Sequence, residues 1–318
     1  LRIGFTPNAT YALNMAIKGV LKKGDHVVTT SLEHNSVLRP LYELKRKGFI
    51  NYSIVEPKNI FGDINIYDIS KAVRFNTRLI IVTASSNVTG NILPYEYIGE
   101  IAKRQGVLYM VDASQGAGVL PFDVEKMYID LLAFPGHKGL MGPQGTGGLY
   151  VSENVKLTSI IEGGTGSKSF ETVHPDFMPD MIESGTLNTP GIVGLGEGVE
   201  FVLKTGIKAI HEKKQLLITK LYEALEKSNK IKLYSRPEKN SGIIALRIEG
   251  MDSSEIANIL DAKYNIAIRP GFHCAPLTHK FLGTEKTGLV RISPGYFNTV
   301  DEMEYTASSI LEIAGDQY

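Results

Sequence analysis

With 318 residues and 43% hydrophobic content, the chain can bury a large core and has room for two domains or one large α/β unit. Its 34 Lys and Arg balance 34 Asp and Glu, so charge gives no support to nucleic acid or an anionic membrane as partner. A single cysteine excludes an internal disulfide framework, and no apolar run approaches membrane-spanning length, so a soluble cytoplasmic protein is expected.

The first residue is Leu1, and the opening stretch already reads as a strand in progress, so a further N-terminal segment is expected upstream. Arg2 to Phe5 is followed by a turn and then a helix with Ala12, Leu13, Ala16, Ile17, Val20 and Leu21 on one face, closed by Gly24. Strand Val27 to Thr29 leads through the polar loop Ser31 to Ser36 into a helix ended by Gly48. Leu79 to Thr83, Val107 to Val111 and Ile129 to Phe134 are near-continuous apolar runs of strand length, with a helical segment through Ile98, Ile101 and Ala102 between the first two. Strands buried on both faces read this way, and their sheets are mostly parallel with helices outside. Ligands then sit at the carboxyl ends of the strands.

Gly185 to Gly198 is rich in glycine, threonine and proline, and a long helix follows over Ile207 to Lys227. Beyond Asn229 the texture changes. Gly242 to Ile248 and Ile266 to Ile268 read as strands, with helices at Ser253 to Lys263 and Val300 to Ala314. The expected organisation is a large domain over 1–228, including a linking helix, and a smaller C-terminal α+β domain over 229–318.

Chemistry-bearing residues recur just past the strands. Lys138 lies in the glycine-rich turn Gly136-His137-Lys138-Gly139, after a buried strand and before another at Gly148 to Val151. Most Lys-Gly pairs are solvated surface turns, but a lysine presented from a core on a constrained loop suits a Schiff base. Asn8, Ala9 and Thr10 open the first helix, where N–H groups and a hydroxyl can meet a phosphate, although Thr10 alone is an ordinary N-cap. His34 offers a flat titratable ring, Asn87 an amide, and Asp112 with Gln115 a carboxylate and a second amide directly after an apolar strand. A carboxylate there is costly to bury unless it meets a cation such as a protonated pyridine nitrogen. Together these are the groups that hold pyridoxal phosphate.

The ordered set Thr10, Glu33-His34-Asn35, Ser86-Asn87-Val88-Thr89-Gly90, Asp112 with Gln115, Gly136-His137-Lys138 and Arg269-Pro270-Gly271 followed by Cys274-Ala275 resembles the class V aminotransferase superfamily, specifically group II cysteine desulfurases and selenocysteine lyases. The resemblance implies an α/β pyridoxal-phosphate-dependent transferase of fold type I, with a mostly parallel seven-stranded sheet and a smaller C-terminal α+β domain. It implies pyridoxal 5'-phosphate as cofactor, L-cysteine or L-selenocysteine as substrate, a homodimer with shared active sites and a sulfur-acceptor protein as a further partner. By this likeness Lys138 carries the cofactor and moves the substrate Cα proton, and Asp112 pairs with the pyridine nitrogen. His34 stacks on the ring, Gln115 and Asn87 contact the phenolic oxygen or the substrate, and Thr10, Ala9 and His137 bind the phosphate. Thr186, in Gly185-Thr186-Leu187-Asn188-Thr189-Pro190, matches the segment that reaches the partner subunit's phosphate, its bland reading being an N-cap. Arg291 matches the arginine that grips the substrate carboxylate through its bidentate fork.

Cys274 separates a desulfurase from an ordinary aminotransferase. It sits beside His273 and near His279 and Arg269, neighbours whose positive charge favours a thiolate able to take sulfur from a cofactor-bound cysteine as a persulfide. One cysteine with two histidines is a poor metal signature, so no metal is expected. The chain departs from the family at Pro135, where a phosphate-binding hydroxyl is usual, and at Asn8-Ala9-Thr10, where Gly-Thr-Thr is usual. The alternatives are another class V aminotransferase reaction, a selenocysteine lyase, or a non-catalytic scaffold of the same fold.

Overall fold

The computed structural model describes residues 2–316. Its larger sheet has seven strands in the order β1-β7-β6-β5-β4-β2-β3. These are β1 (Ile3–Thr6), β2 (His26–Thr30), β3 (Asn51–Val55), β4 (Thr77–Thr83), β5 (Leu108–Asp112), β6 (Leu131–Pro135) and β7 (Gly147–Val151). All pairings from β3 across to β6 are parallel, and only β7, antiparallel to both neighbours, runs against the rest.

Helices cover both faces. Helix α1 (Ala9–Val20) and α2 (Asn35–Arg46) share a buried cluster with Val27, Leu79, Ile81 and Met110. On the other face, α3 (Ile66–Ala72) and α4 (Tyr95–Gln105) pack with Val28, Ile80, Val82 and Tyr109. Alternate residues of β4 thus enter opposite clusters, which is why the run reads as continuously apolar.

Helices α5 (Thr189–Thr205) and α6 (Ile207–Leu225) lead to a second, antiparallel sheet in the order β10-β11-β9-β8. Its strands are β8 (Ile231–Leu233), β9 (Ile244–Ile248), β10 (Arg269–Gly271) and β11 (Leu289–Ile292), backed by α7 (Ser253–Tyr264) and α9 (Val300–Ile313), with the short α8 (Pro276–Leu282) before β11. Leu217, Leu221 and Leu225 of α6 join the apolar cluster of this sheet with Ile244, Ile256 and Ile310.

One expectation is corrected, and the glycine-rich stretch Gly185 to Gly198 is found to contain the start of α5, with Gly194 and Gly198 against the 140–143 segment. A Cβ on Gly198 would stand 2.4 Å from the Leu140 carbonyl oxygen. Asn188 caps this helix by accepting from the Gly191 N–H at 3.2 Å, and Pro190 sits in the first turn. The strand expected at Ile266 to Ile268 begins instead at Arg269, opposite Arg291. Asn265 ends α7 in a left-handed cap, and the Ile266 N–H returns to the Leu260 carbonyl at 3.0 Å, which spends those residues on helix termination.

The two sheets meet through buried polar contacts. Ser85 Oγ donates to Ser241 Oγ at 2.7 Å, Ser235 Oγ to the Thr89 carbonyl at 2.7 Å, and Thr278 Oγ1 to the Ser31 carbonyl at 3.0 Å.

Candidate active site

Strands β2, β4, β5 and β6 end on one edge of the large sheet, and the residues just past them line a cavity of about 140 Å³. Lys138 enters from the turn after β6. That turn lies against Gly118, whose φ is 80° and where a Cβ would stand 2.1 Å from the Gly139 carbonyl oxygen, so only glycine fits. Burial lowers the Lys138 pKa, Arg291 and Arg269 act in the same direction, and Asp112 opposes them.

Asp112 closes β5 at 2% exposure, and its Oδ1 accepts from the Ser114 N–H at 2.9 Å. Ser114 and Gln115 line the same wall. Amine and carboxyl therefore face one cavity from neighbouring parallel strands.

His34 is the N-cap of α2, where its Nδ1 accepts from the Ser36 N–H at 3.0 Å. Ser36 Oγ lies 2.8 Å from that nitrogen and 2.7 Å from Thr10 Oγ1, so one hydroxyl ties the imidazole to the start of α1. The His34 pKa is lowered, chiefly by burial, with Asp112 opposing and Lys138, Arg39 and Arg269 reinforcing. The neutral ring accepting at Nδ1 keeps its proton on Nε2.

The same cavity is also lined by Asn8, Ala9, Thr10, Pro135 and His137. The N-cap of α1 is Asn8 rather than Thr10, and it accepts from the Tyr11 N–H at 3.0 Å. Thr10 is thereby left inside the first turn, beside main-chain N–H groups that a helix start leaves without intrahelical partners. Pro135 stands on the wall where a hydroxyl was expected to be missed.

Asn87, in the turn after β4, lines the cavity while its Nδ2 donates to the His273 carbonyl at 2.7 Å. Its own carbonyl accepts from Arg291 Nη1 at 2.8 Å. Arg291 walls an adjoining chamber of about 310 Å³ that shares Ser114, Gln115 and Lys138 with the first. Burial and the neighbouring Arg269 push its pKa down to about 10.

Thr186 stands apart from these chambers of its own chain. It lines a separate cavity of about 290 Å³ with Phe5, Tyr11 and Asn188. Its reading as a helix cap is superseded by Asn188.

Cys274 is exposed, at the tip of the turn between β10 and α8. The histidines expected to stand beside it as cations are both buried, His273 at 4% and His279 at 1% exposure. Burial pushes each down to about 4, so both are neutral near pH 7, and positive charge near the turn comes from Arg269 and Arg291.

Sequence reasoning gave no role to Ser36, Ser114 or Lys214. The first two lie two residues beyond His34 and Asp112, a spacing that could have marked them as turn partners. Lys214, on α6, looks like any lysine of an amphipathic helix. It lines the Arg291 chamber, and burial pushes its amine down to about 8.

The strand-end cavity on this sheet, with its lysine and carboxyl, defines a pyridoxal-phosphate enzyme fold of type I. The chain belongs to the class V aminotransferase family: the model of that family, Aminotransferase class-V, matches residues 1–306. It is 36% identical to a probable cysteine desulfurase of Methanothermobacter thermautotrophicus, the match covering 98% of this chain and 79% of that protein. It is 30% identical to the cysteine desulfurase IscS of Methanosarcina thermophila, over 98% of this chain and 76% of that one. Among solved structures, the apo cysteine desulfurase from Thermococcus onnurineus NA1 superposes with a TM-score of 0.90 at 31% identity, covering 99% of this chain and 79% of that one.

Proposed function

We propose that this chain is a pyridoxal-phosphate-dependent cysteine desulfurase. The observation that carries the reading is the gathering of Lys138, Asp112 and His34 round one cavity whose rim residue Asn87 is hydrogen-bonded both to Arg291 and to the turn of Cys274. The donor set fits the cofactor: a carboxyl and an amine for the ring, an imidazole beside it, and the first turn of α1 with Thr10 at the phosphate end.

When bound, pyridoxal phosphate supplies an aldehyde for the substrate amine and a ring that accepts the electron pair left on the substrate. Lys138 would anchor it, Asp112 would pair with the ring nitrogen, and His34 would lie against the ring. Gln115 and Asn87 would take the phenolic oxygen, while Thr10, the Ala9 N–H and His137 would take the phosphate. A Lys138 amine that burial holds below its ordinary pKa suits removal of the substrate Cα proton. Arg291 grips the carboxylate.

The Cys274 thiolate then attacks the sulfur of the bound L-cysteine. An S–S bond forms and the substrate C–S bond breaks, its electron pair staying with the carbon, which takes up a proton. L-Alanine leaves and Cys274 keeps a persulfide, until an acceptor thiol removes the sulfur. L-Selenocysteine can occupy the same grip. Reliance on a free thiol suits the reducing cytoplasm. Thr186, lining a cavity apart from its own chain's site, would reach a phosphate across a homodimer.

The test is alanine release from L-cysteine by the protein loaded with pyridoxal phosphate, with the fate of the sulfur read by mass. Cys274→Ala is expected to keep cofactor bound to Lys138 and to lose both alanine release and persulfide. Undiminished alanine release in that variant would overturn the desulfurase mechanism and leave a lyase.

A further inference from the structure

Two consecutive residues of the nucleophile's turn, His273 at φ 50° and Cys274 at φ 56°, occupy the left-handed region. L-residues visit that region rarely, because Cβ crowds the next carbonyl, and pairs of them need outside support. Inside the turn, the Ala275 N–H donates to the Phe272 carbonyl at 3.0 Å and His273 Nε2 to the Arg269 carbonyl at 3.1 Å. The carbonyls of the two strained residues themselves both point to the large sheet. The His273 carbonyl accepts from Asn87 Nδ2 at 2.7 Å, and the Cys274 carbonyl accepts from the Asn35 N–H at 2.8 Å.

These two donors come from the segments that follow β4 and β2, which are neighbours in the sheet. Asn87 is 9% exposed, whereas Cys274 is exposed. The place of the sulfur is thus set through its main chain.

We infer that Asn87 and the first N–H of α2 form a two-point latch that holds the Cys274 turn at the rim of the cofactor cavity. The inference deepens the desulfurase reading and rests on it for its meaning: Asn87 is a positioning residue for the nucleophile as well as a wall of the cavity. Because Arg291 donates to the carbonyl of the same residue, the grip on the substrate carboxylate and the reach of the nucleophile share one reference point.

One tie can be cut with little else disturbed. Asn35 is the first residue of α2, where proline is tolerated because that N–H has no intrahelical partner. His34 before it already has φ −70° and ψ 157°, the extended conformation that a residue preceding proline adopts. Asn35→Pro therefore removes the donor to the Cys274 carbonyl, and Asn35→Ala, which keeps that N–H, is the comparison. Asn87→Ala removes the other donor.

The full chain loaded with pyridoxal phosphate is assayed for amide exchange over residues 272–275 and for sulfur reaching Cys274 in a single turnover with L-cysteine. In Asn35→Pro and in Asn87→Ala, exchange is expected to quicken about tenfold and sulfur transfer to fall about tenfold, the order of one lost hydrogen bond. Asn35→Ala is expected to behave as the parent. Exchange and transfer within about twofold of the parent in both latch variants, below the effect of one hydrogen bond, would overturn the latch. If Asn35→Pro does not fold, Asn87→Ala decides by the same criterion. Should the parent release no alanine, the desulfurase reading fails while the exchange rates still decide the latch.

Discussion

The strand-end cavity and the Cys274 turn are built by opposite means. Around the cavity, Asp112 and Lys138 are delivered by neighbouring parallel strands, β5 and β6, so their juxtaposition follows from sheet register. The Cys274 turn follows a three-residue edge strand and takes two left-handed residues, and it keeps its shape through hydrogen bonds to loops of the other sheet. A site assembled from strand ends tolerates local change, since each residue has its own scaffold. A turn held from across an interface depends on that interface.

The contrast breaks most sharply at Asp112. Asp112→Asn keeps an acceptor for the Ser114 N–H and so spares the local fold. It removes the charge that the proposed function pairs with the ring nitrogen, for which a loss of about 100-fold or more in alanine release is expected. The check is kcat beside a thermal melt. A loss under about tenfold would make Asp112 a structural residue of the strand end.

A second, smaller effect tests whether the lysine turn is as independent as its strand suggests. Gly198→Ala places a Cβ 2.4 Å from the Leu140 carbonyl oxygen, so α5 must move away from the 140–142 segment that follows Lys138. Overpacking of this kind costs about 1–3 kcal/mol. Urea unfolding measures that loss, and weaker retention of the cofactor is expected to accompany it.

The same contrast explains what the sequence disclosed. Runs such as Leu79 to Thr83 and Ile129 to Phe134 announced central strands because both faces are buried, and the polar residues of the loop after each run supplied the candidate site residues. Edge strand β3 gave no such signal, since only Val55 of Asn51–Val55 is buried. Helix α5 was hidden by its glycines, of which Gly194 and Gly198 lie against the 140–143 segment. Around Cys274 the residue types were legible but their charge states were not, because the burial that neutralises His273 and His279 comes from long-range packing. The bond from Asn87 to His273, residues 186 apart in the chain, has no local signature at all.

A third test sets the two regions against each other through pH. Behind the cavity, Glu33 is fully buried with its Oε1 accepting from Thr30 Oγ1 at 2.6 Å. Burial pushes it up to about 8, the nearby Asp112 adds to this, and hydrogen bonds from Thr30 and Thr83 offset part of it. Its folded form holds a proton that the unfolded chain releases above the ordinary carboxylate range. The stability it contributes is therefore complete below that range and is lost as pH rises toward 8. His273 and His279, pushed down to about 4, do the reverse: the unfolded chain binds protons near pH 6.5 that the fold refuses, so stability is lost as pH falls from there toward 4. Each group can contribute a slope of at most about 1.4 kcal/mol per pH unit. His26, at the start of β2 and also pushed down to about 4, titrates in the same sense as the turn, so differences between variants are read rather than raw curves. In urea unfolding at pH 5, 6.5 and 8, Glu33→Gln is expected to gain on the parent as pH rises and His279→Gln to gain as pH falls. Parallel curves for either variant would mean that its group shares the same protonation state in the folded and unfolded chain, and that region would drop out of the pH response.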